Sequence, residues 1–170
     1  YLGWQPGGMT AHGQLLSPAR PIPEEKLLGL DGQTLANDPL RGMWTLLYVG
    51  DADCNQACEQ SLYNMRQVWK SLGRKRKRVQ GSYLLTEAPT AEWRTFFERE
   101  HQGMTVARPA QDAQPWLDFF SLDGEIQPLQ TDNIYVVDPL GNWVLVFRPG
   151  DEPKGLLKDL KKLLRLSNIG

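Results

Sequence analysis

Apolar and polar positions along this chain change period block by block. Residues 43–50, "MWTLLYVG", form a continuous apolar run closed by Gly50. That pattern suits a central strand buried on both faces. From Cys58 onward the apolar positions are Leu62, Met65, Val68, Trp69 and Leu72. Steps of three and four predict an amphipathic helix, with Gly73 as its C-terminal cap. Residues 79–86, "VQGSYLLT", read as a second strand. Thr90 is placed to cap a helix carrying Trp93, Phe96 and Phe97. "MTVA" (104–107) predicts a short strand, and Asp112 the start of a helix with Trp116, Leu117, Phe119 and Phe120. "NIYVVD" and "NWVLVF" flank "PLG" as a strand–turn–strand unit. Residues 153–166 start on Pro153 and carry six leucines at helical spacing, predicting a helix that packs on a sheet.

Upstream, Asp31-Gly32 between two apolar stretches predicts a hairpin. Residues 1–23, rich in Gly and Pro, read as an extended lead-in rather than a folded element. After the hairpin the order is β-α-β-α-β-α-β-β-α. Alternating strands and helices imply an α/β domain over 24–170, with a largely parallel sheet covered on both faces. The closing hairpin makes the sheet mixed.

Composition adds boundaries. The 170 residues carry a net charge of −1, so nucleic acid and anionic membrane gain no electrostatic case as main partners. No apolar run approaches the roughly 18 residues that span a bilayer, and no signal peptide is visible. The chain opens at Tyr1 without an initiator methionine, which is read as a piece of a longer protein whose anchor or export signal lies upstream.

The two cysteines, Cys54 and Cys58, stand together between the first strand and the first helix. Such a junction is where ligands gather in open α/β sheets. A helix N-terminus also lowers a thiol's pKa. In a regular helix, i and i+4 Cβ atoms are roughly 5–6 Å apart. A relaxed disulfide needs about 3.5–4.5 Å. The pair therefore bridges only if Cys54 lies in the loop before the helix. Its loop would be too small for much entropic stabilisation, which points away from a mere staple. Two thiolates on one side would equally suit a soft metal such as Cu(I) or zinc. Asp51, Asp53 and Glu59 oppose thiolate formation, and Asp51 or Asp53 is a candidate helix cap.

The stretches "GMWTLLYVGDADCNQACEQSLYNM" and "IYVVDPLGNWVLVF" resemble the Sco/SenC family. The first is similar to its strand, C-x-x-x-C motif and helix, and the second to its Asp-Pro-x-Gly hairpin. "LLGLDGQTLANDPLRGMW" resembles the leading hairpin of thioredoxin-like proteins. The resemblance spans roughly residues 24–167, about one domain. It implies a thioredoxin-like fold with a mixed central sheet, helices on both faces and an N-terminal β-hairpin extension. It also implies a membrane-anchored domain on the periplasmic face, acting in assembly of the copper centre of cytochrome c oxidase. Family members hold copper through both motif cysteines and a downstream histidine. Cys54 and Cys58 match the cysteines. The histidine's place falls near Gln130, and residues 126–138 contain no His. The prolines usual after the family's cysteines are replaced by Asn55 and Glu59, and Asp132 stands near the cis-proline place of ordinary thioredoxins.

The expectation is a Sco-like thiol–disulfide protein in respiratory oxidase assembly. Cys54 would attack and Cys58 would resolve, with no cofactor required. Its partner would be a cysteine-containing protein such as an oxidase subunit or a copper chaperone. The alternatives are a Cu(I) carrier using Cys54 and Cys58 as metal ligands, and a non-catalytic assembly factor. Of the two histidines, His101 is expected to be a solvated helix-end residue. His12 would reach the site only if the lead-in folded over it. "RKRKR" (74–78) reads as a solvated turn, and Trp4 as a residue near a membrane interface.

Overall fold

The computed structural model describes residues 11–122 and 127–167. Trp4 lies outside them. Strands are β1 (Gln14–Pro21), β2 (Leu27–Leu28), β3 (Trp44–Gly50), β4 (Val79–Leu85), β5 (Thr105–Pro109), β6 (Ile134–Val137) and β7 (Asn142–Phe147). Helices are α1 (Gln56–Lys70), α2 (Ala91–Glu100), α3 (Gln114–Phe119) and α4 (Pro153–Leu166). From β3 onward the order matches the one expected from periodicity.

The seven strands form one sheet in the order β1-β7-β6-β3-β4-β5-β2. Only β3–β4 and β4–β5 pair in parallel. β6 and β7 return antiparallel, and β1 and β2 add antiparallel edges. The sheet is mixed, as expected, but not largely parallel. β3 lies between β4 and β6 and is buried at every residue, which explains its unbroken apolar run.

Alternate strand residues point to opposite faces and build two clusters. On one face Leu46, Tyr48, Tyr83 and Val136 meet Leu62, Met65 and Val68 of α1, Trp93 and Phe97 of α2, and Leu156, Leu160 and Leu163 of α4. On the other, Leu47, Val49, Tyr135 and Trp143 meet Trp116 of α3 and the upstream residues Leu16, Ile22, Leu27 and Leu40. Each fully buried leucine or valine contributes about 1.5–3 kcal/mol over its exposed state. The four buried leucines of α4, at i, i+4, i+7 and i+8, therefore hold that helix far more firmly than its intrinsic propensity does.

Several local expectations shift. Gly32 (φ +82°) forms the turn between Leu27 and Leu35, whose backbone groups bond directly. Helix α1 ends on Lys70 with Ser71 as its cap, and Gly73 (φ +62°) begins the short 3₁₀ segment Gly73–Arg78 instead of capping α1. Ala113 precedes α3, while Asp112 accepts a bond from the amide of Gln114. The run "RKRKR" is only partly a solvated turn. Arg78 donates to the carbonyls of Leu164 and Ser167 at 2.9 and 3.1 Å, and Arg76 lies over the Trp69 ring. Those carbonyls belong to the negative end of α4, where a cation is favoured.

The lead-in is also corrected in part. Residues 14–21 are extended, yet they pair with β7 as an edge strand. Its entry is fixed by Asp159 of α4, whose buried carboxylate accepts the amides of His12 and Gly13 at 2.8–3.0 Å. Nothing local in a Gly-rich stretch announces this partner, which is some 147 residues away. Asp159→Ala leaves both amides without an acceptor and is expected to destabilise the domain by about 1–3 kcal/mol. Urea unfolding measures it, and hydrogen exchange at Leu15 and Leu16 should accelerate more than at β3.

Candidate functional site

Both sulfurs lie just past the C-terminal end of β3. The chain leaves Gly50, crosses residues 51–54 and enters α1 at Asn55. Asn55 has extended backbone angles, and its side-chain oxygen accepts the Cys58 amide at 2.9 Å. Asn55 is therefore the cap, not Asp51 or Asp53. The Asp51 carboxylate instead accepts the Asp53 amide, and Glu87 accepts that of Ala52, both at 2.9 Å. These bonds shape the loop. Cys54 stands one residue before the cap and is joined to Cys58 by a disulfide, with the Cα atoms 5.2 Å apart. The condition set by helical geometry is met: the first cysteine is outside the helix. Cys54 is half-buried and Cys58 is 3 % exposed.

Behind Cys58 stands a polar layer in an aromatic cluster. The Tyr83 hydroxyl donates to the carbonyl of Asp51 at 2.7 Å and lies 3.9 Å from Cys58 Sγ. The Tyr48 hydroxyl donates to the Asp132 carboxylate at 2.6 Å. Ser61 of α1 donates to the Asp132 carbonyl at 2.7 Å. Burial pushes both tyrosine pKa values well above the ordinary one, with nearby carboxylates adding to the shift. Both therefore remain neutral donors at physiological pH. Asp132, where ordinary thioredoxins have their cis-proline region, has φ +56°. Few non-glycine residues adopt that conformation. The bond from Ser61 ties this bend to α1 one turn beyond Cys58.

Sequence reasoning placed the cysteines and missed this layer. Tyr48 and Tyr83 sit in apolar strand runs and read as plain core. A tyrosine near the C-terminal end of a buried strand is the signal available, because its hydroxyl needs a partner there.

The histidines do not join the cysteines. His12 packs against Gly155 on α4, next to the Asp159 anchor. His101 is not solvated: it is 5 % exposed, with its ring against Phe96 and Phe97. Burial first, and then the Arg66 charge, lower its pKa below 6.5. Gln130 is exposed in the 3₁₀ turn Pro128–Gln130. Among the described residues, no group of three or more His, Cys, Asp or Glu side chains is arranged to hold a metal ion. No helix among them is long and apolar enough to cross a membrane.

The family model described as "transmembrane-like, thioredoxin-like, C-terminal domain" matches residues 44–167. The chain belongs to this family. Its span in this thioredoxin-like family runs from β3 to the end of α4 and includes the cysteine pair. No curated protein sequence matches the chain. Solved structures similar to it include apo Sco1 from Thermus thermophilus, with 20 % identity, TM-score 0.71, and coverage of 91 % of this chain and 98 % of that one. Yeast Sco1 with copper bound aligns at 16 % identity and TM-score 0.64, over 87 % and 94 %. BsSco, described as a Sco-family cytochrome c oxidase assembly protein with a disulfide switch, aligns at 16 % and 0.63, over 87 % and 96 %. At these identities the likeness establishes the thioredoxin-like fold, and it agrees with the Sco/SenC resemblance of the sequence.

Two tests follow from the geometry. A Cβ on Gly50 would overlap the Tyr83 hydroxyl oxygen, so Gly50→Ala must displace that ring. We expect a loss of about 1–3 kcal/mol in denaturant unfolding. The lowered pKa of His101 also fixes a sign. Above pH 6.5 both folded and unfolded imidazoles are neutral. Below it the unfolded state binds the proton first, so stability falls as pH falls. His101→Gln should flatten unfolding free energy against pH in the window just below 6.5, and an unchanged slope would refute the assignment.

Proposed function

We propose that this domain is a Sco-like thiol–disulfide redox protein working through Cys54 and Cys58 in assembly of a respiratory cytochrome oxidase. One observation carries it. The chain's two cysteines form a disulfide across the loop–helix junction, with Cys54 half-buried and Cys58 buried beside a neutral hydroxyl. The compartment proposed is extracytoplasmic, since disulfides persist in oxidising surroundings, with an anchor supplied from outside these residues. BsSco, similar in fold, supports both the switchable disulfide and the oxidase context.

The chemistry balances as an exchange. A thiolate of a partner dithiol attacks Sγ of Cys54, the more exposed sulfur. The Cys54–Cys58 bond breaks, and its electron pair leaves on Cys58 at the positive end of α1. The partner's second thiolate attacks its own mixed-disulfide sulfur and releases Cys54 as a thiolate. Two electrons pass to the pair, and the partner becomes a disulfide. Run backwards, with Cys54 attacking and Cys58 resolving, the domain oxidises nothing and reduces a partner disulfide.

A second reading is a Cu(I) carrier, favoured by the copper-bound yeast relative. Two thiolates suit Cu(I), but the donor set lacks the imidazole that the resemblance leads one to expect. Gln130 offers at best an amide oxygen there. The residues present therefore do not complete the family's copper site. A scaffold that kept the fold and lost its chemistry is the remaining reading.

Redox titration of the pair against a dithiol buffer, beside anaerobic Cu(I) titration against a competing chelator, separates the three. We expect a two-electron midpoint within reach of cellular dithiols, abolished by Cys54→Ser, and weak copper binding. Tight Cu(I) binding that collapses in Cys54→Ser would establish the carrier instead. A pair that neither exchanges nor binds copper would leave the scaffold.

A further inference from the structure

Tyr83 has one hydroxyl proton and two acceptors within reach. Its oxygen is 2.7 Å from the Asp51 carbonyl and 3.9 Å from Sγ of Cys58. The ring is held by Tyr48 at 5.2 Å and, edge-on, by Trp93 at 5.2 Å and Phe97 at 5.8 Å. Gly50, lacking a Cβ, leaves room for the hydroxyl end. The hydroxyl rotor is thus the part of this side chain free to move. A disulfide sulfur is a weak acceptor, so in the oxidised protein the proton goes to the carbonyl. A thiolate is anionic, and bonds to an ionised acceptor are roughly twice as strong as neutral ones.

We infer that Tyr83 is a positioning residue for the redox step: on reduction its hydroxyl turns from the Asp51 carbonyl to the Cys58 thiolate, stabilising the reduced form and releasing the loop that carries Cys54. This rests on the redox reading of the pair. The local charges make such a donor necessary. Asp51 in the loop, Glu87 after β4 and Asp132 before β6 all face Tyr83, and Glu59 follows Cys58 on α1. Each carboxylate opposes a thiolate. The basic residues of Gly73–Arg78 lie beyond the far end of α1. Among the described residues, the groups placed to stabilise the anion are the N-terminus of α1 and the Tyr83 hydroxyl, which burial keeps protonated although the Trp93 indole beside it acts in the opposite direction.

The step also gives the site a geometric consequence. While oxidised, the bond from Tyr83 pins Asp51 and with it the entry to the loop. Once the proton is withdrawn, residues 51–54 keep the amide bonds to Glu87 and Asp51 and the packing of Ala52 and Cys54 on the core, but lose their tie to β4 through Tyr83. Cys54 then gains freedom when it becomes the attacking thiol.

The test uses Cys54→Ser, in which Cys58 is the sole thiol, with and without Tyr83→Phe. Thiolate ultraviolet absorbance against pH should place Cys58 about one unit higher without the hydroxyl, a tenfold change in ionisation. In the two-cysteine protein, Tyr83→Phe should shift the exchange equilibrium about tenfold toward the disulfide, near 30 mV more negative. A merely structural tyrosine would lower the melting temperatures of oxidised and reduced forms alike and leave the Cys58 pKa in place; that result overturns the inference. A measurement on the unsubstituted protein guards against misfolding. The carbonyl carbon resonance of Asp51 should shift on reduction, and its constancy counts against the turn of the hydroxyl. A pair that exchanges with no dithiol would remove the redox reading while the Cys58 pKa comparison still stands, so the two failures are distinguishable.

Discussion

Gly50 is where a fully buried strand meets a hydroxyl that needs the space a side chain would fill. β3 is enclosed by β4, β6 and helices, so its last residue has no freedom to bulge outward. The absent Cβ lets the Tyr83 oxygen approach, and that oxygen takes the carbonyl of the next residue, Asp51. The direction in which the chain leaves the sheet follows from this bond. Four residues later the direction decides that Cys54 reaches Cys58 from outside the helix. The disulfide is therefore a consequence of how the strand ends. It does not itself shape the junction.

On the proposed reading, the same layer favours exchange over metal storage. Its charges are carboxylates, its side-chain donors are neutral hydroxyls, and its cap, Asn55, accepts the Cys58 amide. A stored soft cation would want a third ligand aimed between the sulfurs. The chain spends its two histidines elsewhere: one at the docking point of β1 on α4, the other under the aromatic rings of α2. Both have structural roles that would be lost by recruitment to the cysteines. The bend at Asp132 is tied to α1 through Ser61.

Elements with strong periodicity were legible in the sequence, and so was their order. Trp44–Gly50, Gln56–Lys70 and Pro153–Leu166 follow directly from apolar spacing, because burial dominates their energetics. The cap at Thr90 was equally legible, since a cap is a local bond, here to the amide of Trp93. What escaped depends on partners distant in sequence. β1 needs Asp159 and β7. The buried state of His101 is the exception, since the rings that cover it, Phe96 and Phe97, are close in sequence. The balance of parallel and antiparallel pairs needs the position of β6 beside β3, which no local pattern encodes. In the site, the sulfurs were visible as the only two thiols. The hydroxyl behind them was not, because Tyr83 lies 25 residues from Cys58 and looks apolar in its own strand.

The disulfide closes too short a loop to add much to the fold, which accords with the reversible role proposed for it. It closes a loop with a sequence separation of 4, so it removes little entropy from the unfolded chain. Helix α1 is already fastened by Leu62, Met65 and Val68 in the core and by Ser61 on the Asp132 bend. Opening the bond costs the helix none of these contacts. The rearrangement of switching then falls on residues 51–54, which single hydrogen bonds and the partly buried Ala52 and Cys54 hold at the edge of the core. A site built this way can change its covalent state without loosening the domain, and the buried sulfur stays in place as a fixed reference for the exposed one.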